Sequence, residues 1–153
     1  MDITLRAGGF RDIDQISKIE KTSFPERPYS KLDFAYFLLL ARASFVVACK
    51  DGLVVGYVIA MQGTDAWIQS IAVLPEFRQK GIGETLMRSA IVRLAEKSER
   101  VSLLVDAGNA VAIRLYQKLS FVETGTVKRR YYPNGGDAVE MARELGPATL
   151  EEP

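Results

Sequence analysis

The sequence of 153 residues contains no histidine and only one cysteine, Cys49. Without histidine, the chain has no histidine general base, no serine–histidine or cysteine–histidine pair and no histidine metal ligand. A single cysteine excludes an internal disulfide and a multi-cysteine zinc site, and we predict that the protein uses no metal. Because free cysteine is usually buried, we interpret Cys49 in "SFVVACKDG" as a core residue of a strand.

Strong net charge and long apolar segments are also missing. The formal net charge is +1, which argues against binding to nucleic acid or membrane by bulk electrostatics. No apolar stretch reaches the roughly 18 residues of a membrane span, and the N-terminal "MDITLRAGGF" does not resemble a signal peptide. We therefore predict a cytoplasmic protein with neither a nucleic-acid nor a membrane partner.

The composition that remains is that of an ordinary globular protein, with 48% hydrophobic and 25% charged residues. The length suits one domain with one core. We place this domain at residues 1–146 and predict a flexible C-terminal tail at residues 147–153.

Hydrophobic periodicity predicts the element order β-α-α-β-β-β-α-β-α-β-β, with a meander of strands first and helical crossovers later. The spacing of Ile13, Ile16 and Ile19 indicates the first helix. Asp51 and Gly52 form a two-residue hairpin signal between the second and third strands. The pattern is typical of a mixed α/β fold.

A turn with two glycines and two cations, "RQKGIG" at residues 78–83, lies between a predicted strand and a predicted helix. A helix N-terminus exposes unpaired N–H groups and carries partial positive charge, and glycine lets a ligand approach the backbone closely. The turn therefore suits an anion such as phosphate, with Arg78 and Lys80 adding charge. It is neither the dinucleotide fingerprint nor a P-loop. The alternative, from these six residues alone, is a tight turn with a solvated basic rim.

The longer segments "SIAVLPEFRQKGIGETLM" and "NAVAIRLYQKLSFVETG" resemble the GNAT family of acetyl-coenzyme A-dependent N-acetyltransferases, over about residues 45–145. Within that family, "SFP" and "RRYYPNGGDAVEMA" are similar to peptide N-terminal acetyltransferases, including ribosomal-protein alanine and archaeal enzymes. The resemblance implies a mixed, mostly antiparallel sheet with splayed central strands, flanked by helices. It also implies acetyl transfer to the N-terminal α-amine of a protein or peptide, such as a ribosomal protein or nascent chain, by a monomer or weak dimer.

The resemblance further implies a binding site for acetyl-CoA, with the pantetheine arm along the strand that contains "SIAV" and the pyrophosphate on N–H groups of the glycine turn. The residues so implied are Ile71, Ala72, Val73, Arg78, Gln79, Lys80, Gly81, Ile82, Gly83, Glu84, Asn109 and Tyr116. Asn109 also suits the N-cap of its helix, and the two roles are compatible. A backbone N–H near Val73 is the expected oxyanion donor.

Tyr116, in "AIRLYQKL", matches the tyrosine that the family uses as general acid toward the sulfur of coenzyme A. A phenol has a pKa of about 10, so it is protonated and able to donate at neutral pH. The alternative, from the residues alone, is a core aromatic side chain on an amphipathic helix.

The general base is where this chain departs from its relatives. Ribosomal-protein acetyltransferases carry a glutamate on the strand before the "NA" helix, and this chain has Leu104 there, with Asp106 two residues further on. Glu26 in "FPERPY" matches a loop glutamate of related N-terminal acetyltransferases, so we predict that Glu26 is the base; the alternative is a solvated loop charge. The predicted substrate-binding residues are Glu26, Tyr29, Tyr131 and Tyr132.

Two other functions stay open at this stage. A GNAT enzyme of this kind could act on an internal lysine or a small-molecule amine, although "RRYY" with "DAVEM" favours a peptide. A protein of a different class, a non-catalytic acyl-CoA-binding module, stays open because of Leu104, whereas Tyr116 and the complete glycine turn argue against it.

Overall fold

A seven-stranded sheet forms the centre of the structure, a computed structural model that describes residues 2–39, 43–147 and 149. The strands are β1 (Thr4–Ala7), β2 (Ala43–Lys50), β3 (Leu53–Met61), β4 (Asp65–Val73), β5 (Arg100–Asp106), β6 (Val122–Lys128) and β7 (Ala138–Glu144). The helices are α1 (Ile13–Ser23), α2 (Lys31–Leu39), α3 (Ile82–Ala95) and α4 (Ala110–Lys118), and short 3₁₀ turns precede α1 and follow β4. The predicted order of elements is thus confirmed.

The strands lie in the order β1-β2-β3-β4-β5-β7-β6, and only the β4–β5 pair is parallel. β4 and β5 pair at three positions, from Asp65 to Trp67 on β4 and from Arg100 to Ser102 on β5. Beyond Trp67 the two strands are not paired, and the sheet opens between the second half of β4 and the second half of β5. This opening, which we call the splay, confirms the expected fold with splayed central strands.

A bulge in β4 lies at the start of the splay. Ile59 on β3 is opposite Ser70, whereas Ala60 is opposite Ile68, so Gln69 is the extra residue. An extra residue exchanges the two faces of a strand. Ile68 accordingly packs on one side of the sheet, while Ser70 and Ala72 lie on the other.

The sheet separates two apolar cores. The larger core lies against α3 and α4 and includes Leu86 and Leu103. The second lies against α1 and α2 and includes Ile16 and Phe34. The apolar face of α1 is therefore turned to the strand face that carries Ser70.

Two local predictions can be compared with the structure. Asp51 and Gly52 both have positive φ, 51° and 81°, as the mirror-image hairpin turn requires. The predicted tail at 147–153 falls mostly outside the described residues. Thr149, which is described, is buried, and its hydroxyl accepts a hydrogen bond from the N–H of Gly146 at 3.1 Å.

Candidate active site

The glycine turn after β4 presents a row of unpaired backbone N–H groups. Gln79 and Gly81 both have left-handed backbone conformations, with φ of 58° and 82°, and Gly81 is the residue that caps α3. Among the described residues, the N–H groups from 79 to 84 donate no hydrogen bond to backbone or side chain; the first such donor in α3 is Thr85, to the carbonyl of Gly81 at 3.0 Å. Six free donors at a positive helix end suit a phosphate group.

The charged side chains of this turn are arranged less simply than the sequence suggested. Glu84 accepts hydrogen bonds from Lys118 at 2.7 Å and Arg88 at 3.0 Å, and these two cations lower the pKa of its carboxyl. The negative charge at the helix start is therefore paired. Lys80 lies over the ring of Phe77, with its Nζ 5.8 Å from the ring centroid.

Arg78 reaches away from the turn. Its Nε donates to the carbonyl of Val73 at 2.9 Å, and its terminal nitrogen donates to the hydroxyl of Ser23 at 3.1 Å. The guanidinium thus connects the end of β4 to the end of α1. Its expected contact with phosphate stays a prediction.

The residues implied in binding the pantetheine arm lie on β4 inside the splay. Ile71 and Val73 are half-buried against the larger core, and Ala72, 8% exposed, belongs to the second core. This part of β4 is paired on one side by β3, and no strand among the described residues pairs with it on the side of β5. An unpaired strand edge is the arrangement onto which an extended ligand can add.

Tyr116 and Asn109 lie on α4, which follows β5. The Tyr116 ring is buried and packs against Phe121 at 6.0 Å between centroids. Burial raises the pKa of Tyr116 to about 12. Its hydroxyl has no hydrogen-bond partner within the described part of the chain, so the donor is free for a ligand. Asn109 caps α4 by accepting from the N–H of Ala112 at 3.1 Å, which confirms its predicted cap role.

The predicted substrate tyrosines converge near Tyr116 from two loops. Burial raises the pKa of Tyr132 to about 12. The neighbouring groups that add to this increase are Tyr131, Asp106, Tyr116 and Tyr29. The Tyr131 and Tyr132 rings meet edge to face with their centroids 5.1 Å apart. Residues from the α1–α2 loop and α4 thus lie within electrostatic range of Tyr132 in the β6–β7 connection.

Tyr29 is the best anchored of these tyrosines. Its ring meets Phe37 and Phe34 edge to face, at centroid distances of 5.2 and 6.1 Å. Its hydroxyl accepts a hydrogen bond from Nε2 of Gln69, the bulged residue of β4, at 2.5 Å. The Tyr29 N–H donates to Oε1 of Glu20 at 3.2 Å. Backbone, ring and hydroxyl are thus each held by a different element.

A family model for the acetyltransferase (GNAT) family matches residues 12–121. The chain belongs to the GNAT acetyltransferase family. It is 36% identical to the N-alpha-acetyltransferase of Saccharolobus solfataricus, with 94% of each chain covered. Among solved structures it is similar to the ribosomal-protein-S18-alanine N-acetyltransferase from Escherichia coli, with a TM-score of 0.86, 29% identity and 95% of each chain covered.

A second similar solved structure contains the acetyl donor. It is the GNAT-superfamily phosphinothricin acetyltransferase from Sinorhizobium meliloti in complex with acetyl-CoA, at a TM-score of 0.85 and 25% identity, covering 100% of this chain and 94% of that one. No group of three or more histidine, cysteine, aspartate or glutamate side chains in residues 2–39, 43–147 and 149 is arranged to hold a metal ion. No helix in the same residues is long and apolar enough to span a membrane.

The two candidate bases of this GNAT domain, Glu26 in the α1–α2 loop and Asp106 at the end of β5, lie in different elements, and Leu104 occupies the position of the expected glutamate. Glu26 is exposed and makes no hydrogen bond or ion pair with a described residue. Asp106 accepts from the N–H of Gly108 at 2.8 Å and so stabilises the turn before α4. Leu104 is half-buried, and it lies on the sheet face opposite to Leu103, which packs in the larger core. Its antiparallel partner on β7 is Glu140.

The sequence prediction missed three polar residues beneath the site. Glu20 is only 2% exposed; Tyr57 and Ser70 are buried beside it. Oε2 of Glu20 is hydrogen-bonded to the Tyr57 hydroxyl and accepts from Ser70 Oγ at 3.3 Å. Burial raises the pKa of the Glu20 carboxyl, against the effect of these donors. A sequence signal did exist, because Glu20 follows Ile16 by four positions and therefore lies on the apolar face of its helix.

Proposed function

We propose that this GNAT acetyltransferase transfers the acetyl group of acetyl-CoA to the N-terminal α-amine of a protein or peptide. The observation that carries the proposal is the convergence of Tyr29 and Tyr132 near Tyr116, beside the open end of the splay. Phenol groups from two loops offer donors and acceptors for the backbone of an extended peptide. The name of the S. solfataricus relative, an N-alpha-acetyltransferase, supports the same substrate class.

The acetyl donor fits two features of this chain. The six unpaired N–H groups from 79 to 84 would hold the pyrophosphate of acetyl-CoA, and the unpaired edge of β4 from Ile71 to Val73 would pair with the pantetheine amides. A backbone N–H near Val73 would stabilise the oxyanion. When bound, acetyl-CoA supplies the thioester carbon to which the amine nitrogen bonds as the carbon–sulfur bond breaks.

Tyr116 would stabilise the leaving sulfur. With a pKa of about 12, the phenol keeps its proton across the physiological range. It is a weaker acid than a thiol of pKa about 8.5, so complete proton transfer to a free thiolate would be uphill by roughly 5 kcal/mol. Tyr116 therefore acts as a hydrogen-bond donor as negative charge develops on sulfur, and the released thiolate takes its final proton from solvent.

The amine must lose a proton before or during attack. An α-amine with a pKa near 8 is roughly 10% neutral at pH 7, so deprotonation costs about 1.4 kcal/mol, whereas a lysine at about 10.4 costs about 4.6 kcal/mol. A weak base is sufficient for an N-terminus. We propose Glu26, which is exposed in the α1–α2 loop, as that base, with the proton passing to it directly or through water held by Tyr29, Tyr131 or Tyr132.

A small-molecule amine is the second candidate substrate, because the S. meliloti neighbour is a phosphinothricin acetyltransferase. The deciding experiment measures acetyl-CoA-dependent acetylation of short peptides that differ in the first two residues, together with an N-blocked lysine peptide and a set of polyamines and amino acids. Peptides with free N-termini are expected to have the highest kcat/KM. Higher kcat/KM for the blocked lysine peptide or a small amine would reject N-terminal specificity, and binding of acetyl-CoA without transfer to any amine would favour the acyl-CoA-binding module.

A further inference from the structure

The carboxyl group of Glu20 joins four parts of the molecule beneath the candidate active site. It projects from α1; its Oε1 accepts from the N–H of Tyr29 in the α1–α2 loop at 3.2 Å. Its Oε2 is hydrogen-bonded to Tyr57 on β3 and to Ser70 on β4. The Tyr57 and Ser70 hydroxyls are themselves 3.0 Å apart.

The loop that Glu20 contacts has few other attachments. Within the described part of the chain, residues 25–28 make no hydrogen bond to the rest of the protein. The next residue, Tyr29, is attached by its backbone to Glu20 and by its hydroxyl to Gln69. Gln69 and Ser70 are adjacent at the β4 bulge, so both attachments lead to the same point, immediately before Ile71.

Burial of the Glu20 carboxyl group on the apolar face of α1 has a free-energy cost. Its helix neighbours on the apolar face, Ile16 and Ile19, are 0% and 1% exposed. Removing a carboxylate from water has a large free-energy cost, and well-packed apolar residues often replace buried polar groups without loss of stability. Packing of α1 therefore does not require Glu20, whereas the attachment of Tyr29 does.

We infer that Glu20 is a positioning residue that holds the α1–α2 loop, through the Tyr29 N–H, at a set distance from the β4 bulge, and so sets the geometry between the peptide and the thioester. The inference rests on the proposed function, since it assigns the loop to the peptide and β4 to the acetyl donor. Glu20 itself does not touch the reacting atoms. The role depends on the length of the side chain and not on its charge.

Two substitutions separate length from charge. In Glu20→Gln the amide oxygen still accepts from Tyr29, while the amide nitrogen donates to Ser70 and Tyr57, whose hydroxyls can accept. In Glu20→Asp the carboxylate is kept, but one methylene is lost, so the side chain cannot reach Tyr29 and the β3–β4 hydroxyls together. A positioning role predicts that the Asp variant is impaired and the Gln variant is not; a proton-transfer role predicts the reverse.

The primary measurement is hydrogen exchange of the Tyr29 amide, which requires no assumption about the substrate. We expect exchange about ten-fold or more faster in Glu20→Asp and within about three-fold of wild type in Glu20→Gln. With the best peptide, Glu20→Asp should lower kcat/KM about ten-fold or more, mainly through KM, with the Kd of acetyl-CoA changed less than about two-fold.

Asp12→Asn is the matched control, because Asp12 is a carboxylate 1% exposed near the other end of α1, where Arg6 donates to it at 2.8 Å. It should lower the free energy of unfolding but leave Tyr29 exchange and peptide KM unchanged. If Glu20→Asp does not fold, Ser70→Ala removes one attachment of the carboxylate and should accelerate Tyr29 exchange by a few-fold.

Three results would overturn the inference: unchanged Tyr29 exchange in Glu20→Asp, or in Ser70→Ala where that variant replaces it; an equal effect of Asp12→Asn; or loss of turnover in Glu20→Gln while Tyr29 stays protected. If the wild-type enzyme acetylates no peptide, the proposed function fails, and the exchange measurement alone decides whether Glu20 positions the loop.

Discussion

Replacing Tyr116 by Phe should separate catalysis from stability in this protein. The Tyr116 ring is 8% exposed and packs against Phe121, and its hydroxyl has no partner within the described residues. Phenylalanine keeps the ring and leaves no buried group unpaired, so the free energy of unfolding should change by less than about 0.5 kcal/mol. A change in turnover would then reflect chemistry.

The expected loss of turnover is about 10²- to 10³-fold, the range for losing one positioned hydrogen-bond donor to a developing negative charge. This corresponds to roughly 2.7 to 4 kcal/mol in the activation barrier. The effect should fall on kcat, because the hydroxyl interacts with sulfur only as charge develops there. The Kd of acetyl-CoA should change little.

The assay is single-turnover acetyl transfer with saturating acetyl-CoA, so that product release does not hide the chemical step. Urea unfolding of the same preparations gives the stability, and Tyr36→Phe, on an exposed tyrosine of α2, is the control for loss of a phenol. Wild-type turnover in Tyr116→Phe would refute the role assigned to the hydroxyl. Because the pKa of Tyr116 is raised to about 12, its protonated form persists above pH 10, and a loss of wild-type activity between pH 8 and 10 that is absent from Tyr116→Phe would also contradict the assignment.

Three further predictions test the rest of the site. Gly83→Glu should weaken acetyl-CoA binding in calorimetry, whereas Gly83→Ala should not, because a Cβ there would meet only Leu115 Cδ2 at 4.0 Å. If Gly83→Glu binds acetyl-CoA as tightly as Gly83→Ala does, the assignment of the phosphate to this turn is wrong. Glu26→Gln should lower peptide turnover with acetyl-CoA binding retained; unchanged turnover would assign proton removal to solvent or to Asp106. Leu104→Glu should fold, since this position lies outside both cores, but the new carboxylate would face Glu140 across β5 and β7 at roughly 5 Å. Repulsion of about 1 to 3 kcal/mol should be relieved by adding Glu140→Gln, as measured by urea unfolding at pH 7; no such rescue would show that the two side chains do not face each other.

Local sequence signals determined much of the fold. The spacing of Ile13, Ile16 and Ile19 predicted α1, and Asp51–Gly52 predicted the β2–β3 hairpin; both agree with the structure. These features depend on residues close in the chain, whose periodicity and turn conformations can be predicted without knowing which other elements they contact. The glycine turn belongs to the same class, because its free N–H groups follow from a helix start that contains Gly81.

The candidate site required the tertiary structure wherever the contacts cross between elements. The sequence placed Arg78 in the glycine turn, and only the structure shows that its guanidinium bonds to Val73 and Ser23, which a one-dimensional pattern cannot bring together. The bulge in β4 likewise cannot be predicted from the alternating residues of the strand, yet it turns Ser70 toward α1. Only the register of β5 and β7 identifies Glu140 as the cross-strand neighbour of Leu104.

Glu20 depends both on local sequence information and on the tertiary structure. Its position on the apolar face of α1 was written in the sequence, because helical periodicity is local. Whether a carboxyl group on that face is exposed to solvent or buried with hydrogen-bond partners depends on which donors the sheet and the following loop present to it. The chain separates Glu20 from Tyr57 by 37 residues and from Ser70 by 50, and only the folding of α1 onto the β4 bulge brings these groups into contact.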